Sequence, residues 1–250
     1  MEGPRAVAEA LAAGVVEELY LDEDTAAPTT AVPVQRVTAG VLAHLADATT
    51  PQGIVAVART PATTLAEIGA GVVVVLDQVA DPGNAGTILR TADALGAAGV
   101  VLTRGSVDVY APKTVRAAVG STYHLPVVTG VNPAEVADLA RTTGRRLVGL
   151  DAHAAQGLSA LGSVGGAVML VLGNEAHGLD PATSALLDAH VAIPLHPRAE
   201  SLNVAAAAAI AIHAAVYPAR PDSRTDATRP ARGAGPADGP APPTDHKGAP

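Results

Sequence analysis

The chain has 250 residues, a formal charge of −8 and no cysteine. That length supplies one large domain or two small ones with ample material for a core, and the missing thiols exclude disulfides and thiolate metal sites. Phenylalanine and tryptophan are also absent, so the core must be built from Val, Leu, Ile and Ala.

The eight histidines are scattered, with no pair at three- or four-residue spacing, which gives no case for a metal. The opening MEGPRAVAEALAAG has no basic leader followed by an apolar segment. The longest apolar run, Val204 to Val216, is too short to span a bilayer and suits a buried helix. A soluble, cytoplasmic protein without membrane contact is expected. The acidic total hides a division: residues 1–69 carry three arginines against nine acids, net −6, whereas residues 90–146 carry seven basic residues against four acids, net +3. A local basic face is what a polyanion responds to.

In chain order, residues 4–13 read as a helix ending at Gly14, 17–21 and 32–37 as strands, 40–45 as a helix and 54–58 as a strand. This predicts a small α/β module over residues 1–62, followed by a linker over 59–69. Val72 to Leu76 is a β-branched run suited to a strand buried on both faces, Asp81-Pro82-Gly83-Asn84 reads as a turn, and a helix should start near Ala85 with Arg90 in its second turn. Strands at 99–102, 125–128 and 146–150 alternate with helices at 113–119 and 133–142, which argues for a mostly parallel sheet over residues 70–218. Residues 219–250 hold seven prolines, four glycines and no Val, Ile or Leu, too little apolar surface to offset ordering, so a disordered tail is expected.

The stretch that organises the rest is residues 172–206. Two apolar runs, 168–172 and 191–195, each end in a polar loop, Gly173-Asn174-Glu175 with Gly178 and then His196 to Asn203, the second opening into the helix at 204. Strand ends that stop in glycine-rich loops form a ligand crevice, because open α/β sheets bind at the carboxyl ends of their strands.

Asn84 through Arg90, Leu172-Gly173-Asn174-Glu175 with Gly178, and Ile193-Pro194 through Ser201-Leu202-Asn203 stand in an order and spacing that resembles the SpoU (TrmH) family of RNA ribose 2′-O-methyltransferases. The likeness covers roughly residues 70–217. Residues 1–62, especially 6–21 and Gln52-Gly53-Ile54, resemble the family's small ribosomal-protein-like substrate-binding domain, here acidic and shortened between Asp24 and Val32. Gly120-Ser121 is similar to a further family element.

The resemblance implies an α/β fold whose C-terminal part threads a trefoil knot, S-adenosylmethionine as methyl donor, tRNA or rRNA as partner, and a homodimer paired through the last helix. It also implies Asn84, Arg90, Glu175, Ser201 and Asn203 as catalytic residues, and Leu172, Gly173, Ile193, Leu195 and Leu202 as the cofactor pocket. Arg90 would orient a phosphate and the developing alkoxide. Glu175 would fix its loop and reach the ribose or an arginine. Asn84 would hold Arg90 or the ribose, or cap its helix, and Ser201 and Asn203 are both placed to cap. Pro197 and Leu195 replace the family's common glycine and methionine.

Two other readings fit parts of the pattern. A nucleotide-dependent oxidoreductase would use the post-strand glycines, but Gly83 and Gly86 do not make GxGxxG. A catalytically inactive RNA-binding protein of the same fold would not need Arg90, Glu175, Ser201 and Asn203.

Overall fold

The computed structural model describes residues 1–162 and 167–218; the tail expected over 219–250 lies outside them. The N-terminal part contains α1 (Pro4–Ala12), β1 (Val16–Leu21), β2 (Val34–Arg36), α2 (Ala39–Leu45) and β3 (Ile54–Ala58). β1 lies between β2, parallel, and β3, antiparallel. Val7 and Ala10 of α1 close one face of this sheet over Leu19, Leu21, Ile54 and Ala56.

The larger part runs β4 (Val73–Leu76), α3 (Pro82–Leu95), β5 (Gly99–Thr103), α4 (Pro112–Ala118), β6 (Val127–Val131), α5 (Pro133–Thr143), β7 (Arg146–Leu150), β8 (Gln156–Gly157), α6 (Ser159–Gly162), β9 (Val168–Leu172), α7 (Pro181–Ser184), β10 (Ala189–Ala192) and α8 (Val204–Val216). Its seven strands lie in the order β6-β5-β4-β9-β7-β10-β8, and each described pairing is parallel. β4, β5 and β9 are buried along their whole length, as unbroken β-branched runs require when helices cover both faces. Alternate residues serve opposite layers. Val74 and Leu76 pack with Ile88 and Leu89 of α3 and Ala208 and Ile212 of α8, while Val73 and Val75 pack with Val136 and Ala140 of α5. Ile88 and Leu89 are wholly buried, each contributing about 1.5–3 kcal/mol.

α3 begins three residues earlier than the sequence suggests. Asp81 is its N-cap, the carboxylate accepting from Asn84 N at 2.8 Å, with Pro82 at the first helical position. Asp81-Pro82-Gly83-Asn84 is therefore the first helical turn, and Arg90 falls in the third. α3 also crosses α4 closely: a Cβ on Gly86 would stand 2.5 Å from the Ala117 methyl and 2.7 Å from Thr114 O. Three strands are displaced from their expected spans. β2 covers 34–36, β6 starts at 127 because Pro126 has no N–H for the ladder, and β10 covers 189–192.

The N-terminal module docks on the larger part through ion pairs. Arg116 of α4 donates to Glu2 at 2.5 Å and Asp47 at 2.9 Å. His124 lies 2.9 Å from Asp93 and 3.2 Å from Glu9. Three of the eight acids in residues 1–62, Glu2, Glu9 and Asp47, thus face Arg116 or His124 of the larger part. Among the described residues, no helix is long and apolar enough to cross a membrane, and no group of three His, Asp or Glu stands placed to hold a metal.

Candidate active site

Since β4, β9 and β10 share one direction, the segments that follow them emerge at one edge of the sheet. The loop after β9 is a closed hairpin. Asn174 and Gly178 exchange backbone hydrogen bonds at 2.8 and 2.9 Å, and the Asn174 carbonyl oxygen of the side chain accepts from Ala176 N and His177 N. Gly173 permits this closure, because a Cβ there would stand 2.3 Å from Gly178 C and 2.4 Å from Leu179 N.

Glu175 reaches from that hairpin to the start of α3. Its carboxylate accepts from Ala80 N and Asp81 N, each at 3.2 Å, and from Asn84 Nδ2 at 2.9 Å. Burial alone would raise its pKa, but the bonds from Asn84, Ala80 and Asp81 outweigh that and hold it below the usual carboxylate range. Asn84 then accepts on Oδ1 from Asn203 Nδ2 at 3.0 Å, and Asn203 caps α8 by accepting from Ala205 N and Ala206 N. One hydrogen-bonded chain, Asn203 to Asn84 to Glu175, therefore links all three sequence motifs.

The remaining expected residues are placed differently. Asn84 does not cap α3, a role taken by Asp81, and does not bond Arg90. Six residues apart on a helix, the two side chains are rotated by about 240° and displaced by about 9 Å. Arg90 instead lines a groove of about 680 Å³ between α3 and α8, with Thr87, Thr91, Ala94, Leu95, Ala209, Ile210 and His213. It has no hydrogen bond or ion pair among the described residues, so its guanidinium is free for an external anion. Among the described residues Glu175 bonds no arginine. Ser201 is exposed, makes no hydrogen bond among the described residues, and leaves the cap to Asn203.

Leu172 is buried and its carbonyl accepts from Asp77 N at 2.8 Å, while Ile193 and Leu195 are half-buried and Leu202 is 39 % exposed. The backbones of Leu195 and Leu202 have no hydrogen-bond partner among the described residues. Open apolar side chains beside free backbone donors and acceptors fit a nucleoside, which needs both.

Three residues of this edge were not anticipated as site residues. Asp77 and Gln78 directly follow β4, and Asn174 Nδ2 donates to Gln78 O at 2.8 Å. The available signal was an acid closing an otherwise apolar strand.

Comparison with known proteins matches residues 71–213 to the SpoU rRNA Methylase family and residues 1–64 to the RNA 2′-O ribose methyltransferase substrate binding family. The 23S rRNA (guanosine(2553)-2′-O)-methyltransferase RlmP of Bacillus subtilis is 36 % identical over 217 residues, covering 85 % of this chain and 86 % of that protein. The crystal structure of the SpoU methyltransferase AviRb of Streptomyces viridochromogenes, in complex with AdoMet, superposes with a TM-score of 0.79 at 33 % identity, covering 86 % of this chain and 88 % of that one. An AdoMet-bound rRNA methyltransferase of Sinorhizobium meliloti gives 0.76 at 29 % identity, covering 86 and 85 %. With a family model spanning more than half its length and a relative of this identity and coverage, the chain belongs to the SpoU methylase family.

Proposed function

We propose the following roles for the residues at this edge in the chain's reaction, S-adenosylmethionine-dependent methyl transfer to a ribose 2′-hydroxyl of RNA. The observation that carries them is the Asn203–Asn84–Glu175 chain, which joins three distant segments at the carboxyl ends of the strands. The cofactor supplies the methyl group on an electrophilic sulfonium. The backbones of Gly173, Ile193 and Leu202 hold its adenosyl part, with Leu172 and Leu195 lining it, and the exposed Ser201 meets the substrate.

Arg90 binds the phosphate beside the target ribose as a permanently charged fork and stabilises the alkoxide that develops as the 2′-oxygen attacks the methyl carbon. The hydroxyl proton passes to solvent. Glu175 is not the base, because its oxygens are occupied by three donors and its pKa lies low. Its role is to hold Asn84, and through it Asn203, in register.

Residues 70–218 form the catalytic domain in this reading, and residues 1–62 the substrate-binding module, acidic where it docks. The names of the relatives favour ribosomal RNA as the substrate, and we place the enzyme in the cytoplasm. β9 inserted between β4 and β7 with α8 behind it supports the trefoil knot. The outer face of α8, with Ile210 at 44 % and Tyr217 at 56 % exposure, supports a homodimer that brings a second copy beside Arg90.

The test is incubation with isotopically labelled S-adenosylmethionine and separated tRNA and rRNA fractions, with methylated nucleosides identified by mass spectrometry. A labelled 2′-O-methylnucleoside is expected in one fraction. Arg90→Ala should lower turnover about 10²–10³-fold with cofactor affinity within threefold of wild type. Cofactor binding without label in any fraction would point to a missing partner or substrate, and the absence of cofactor binding as well would favour the non-catalytic RNA-binding reading.

A further inference from the structure

Among the described residues Asp77 is the only buried acid, with none of its surface exposed. It directly follows β4, and two other segments converge on its carboxylate. Oδ1 accepts from Thr103 Oγ1 at 2.9 Å, and Oδ2 accepts from Asp180 N at 3.1 Å. Among the described residues no cation pairs with it. An acid so placed costs stability that an apolar side chain of similar volume would not.

The geometry of its partners says what the acid is for. Asp180 closes the far end of the 173–180 loop, where its side chain caps α7. The next residue, Gln78, is held at φ 58, the left-handed region, by donating its N–H to the same Thr103 hydroxyl at 3.1 Å. That turn aims Gln78 O at Asn174 Nδ2, at the near end of the loop. Asp77 and Thr103 thus brace both ends of the hairpin whose middle carries Glu175.

We infer that Asp77 is a positioning residue for cofactor binding: its buried carboxylate pins the 173–180 hairpin, by Asp180 N directly and by Asn174 through Gln78, in the conformation that receives the adenosyl group. This rests on the reading of that loop as part of the S-adenosylmethionine pocket. Because the donors need only acceptors, an asparagine serves, with Oδ1 toward Asp180 N and Nδ2 toward the Thr103 hydroxyl, whose proton can turn to Leu76 O.

Three full-length variants test it, Asp77→Leu, Asp77→Asn and Thr103→Val, by three readouts: calorimetric affinity for S-adenosylmethionine, melting temperature, and amide hydrogen exchange of the cofactor-free protein. Asp77→Leu should keep its melting temperature within a few degrees yet bind at least tenfold more weakly. The amides of Ala176, His177 and Gly178 should exchange at least tenfold faster while β4 and β9 stay protected. Asp77→Asn should bind within threefold of wild type. A folded Asp77→Leu with unchanged affinity and unchanged exchange overturns the inference; if that variant does not fold, unchanged affinity and exchange in Thr103→Val does so. Wild type that binds no cofactor would sink the pocket reading instead, and the exchange data would still report whether the brace exists.

Discussion

Two loops leave the same edge of the sheet and are built in opposite ways. The loop after β9 is tied at four places. It has its own Asn174–Gly178 pair, the Glu175 grip on Ala80, Asp81 and Asn84, the Asn174 bond to Gln78, and the Asp180 bond to Asp77. The loop after β10 makes two local bonds, Ala199 N to His196 O and Arg198 N to the His196 ring, before Asn203 starts α8. Residues 196–203 are all exposed. A tied loop is paid for at folding and offers a fixed shape, whereas an open one is ordered by what binds, at a cost in affinity. The pair divides recognition between a preformed wall and a wall that closes on its ligand.

Breaking the tied wall should have the largest effect. Gly173→Ala puts a methyl where Gly178 C stands 2.3 Å away, so the hairpin must open. Affinity for S-adenosylmethionine should fall about 100-fold or more, with a stability loss of about 1–3 kcal/mol, read by calorimetry and thermal melting. An unchanged affinity would mean the hairpin is not the wall.

Glu175→Gln is milder. It exchanges an acceptor pair for one acceptor and one donor facing backbone N–H groups, and kcat/KM should fall about tenfold, on the scale of a charged hydrogen bond. The pH dependence carries a sign. A carboxyl whose pKa is lowered on folding contributes above its unfolded value near 4.3 and loses that contribution as pH falls through the lower folded value. Wild-type cofactor affinity should hold from pH 8 down through the usual carboxylate range and fail only below it, and the glutamine variant should lack that acid limb.

On the open wall, Pro197→Gly should act through chain entropy alone, about 0.4–1 kcal/mol. That corresponds to a two- to fivefold weaker cofactor affinity, with exchange in 173–180 unaltered. A loss as large as that of Gly173→Ala would show that the second loop is preformed too.

The smallest effect belongs to a control remote from both loops. His124, between Asp93 first and Glu9 second, has its pKa raised by their hydrogen bonds and charges against the opposing effect of burial. Its stabilisation is full below the unfolded value near 6.5 and is lost as pH rises through the higher folded value. His124 and its two carboxylate partners are all partly open to solvent, so His124→Gln should cost below about 1 kcal/mol, visible as a lower melting temperature at pH 6 and absent at about pH 9. Cofactor affinity should not move, which isolates module docking from the two loops.

Much of the architecture is legible along the chain because it is set by local pattern. β3, β7, β9 and α8 begin and end where apolar runs, breakers and caps place them, and the unbroken runs at 73–76 and 168–172 announce strands covered on both faces. Boundaries moved where a side chain had two local options. Asp81 and Asn84 are each able to cap, and the aspartate three residues earlier took the role, which freed the Asn84 amide. Ser201 and Asn203 competed likewise, and Asn203 won by reaching two N–H groups of α8.

The sequence by itself determined the family, the parallel sheet and the residue types at its binding edge, since periodicity and motif order survive without coordinates. Only the tertiary structure decided that Glu175 grips Asn84 rather than an arginine, that Arg90 turns away into the α3–α8 groove, and that Asp77 is sealed between Thr103 and the Asp180 end of the loop. Those outcomes depend on which segments meet across separations of about a hundred residues, 91 for Asn84 with Glu175 and 103 for Asp77 with Asp180. The order of strands across the sheet sets such meetings, and no local propensity encodes them.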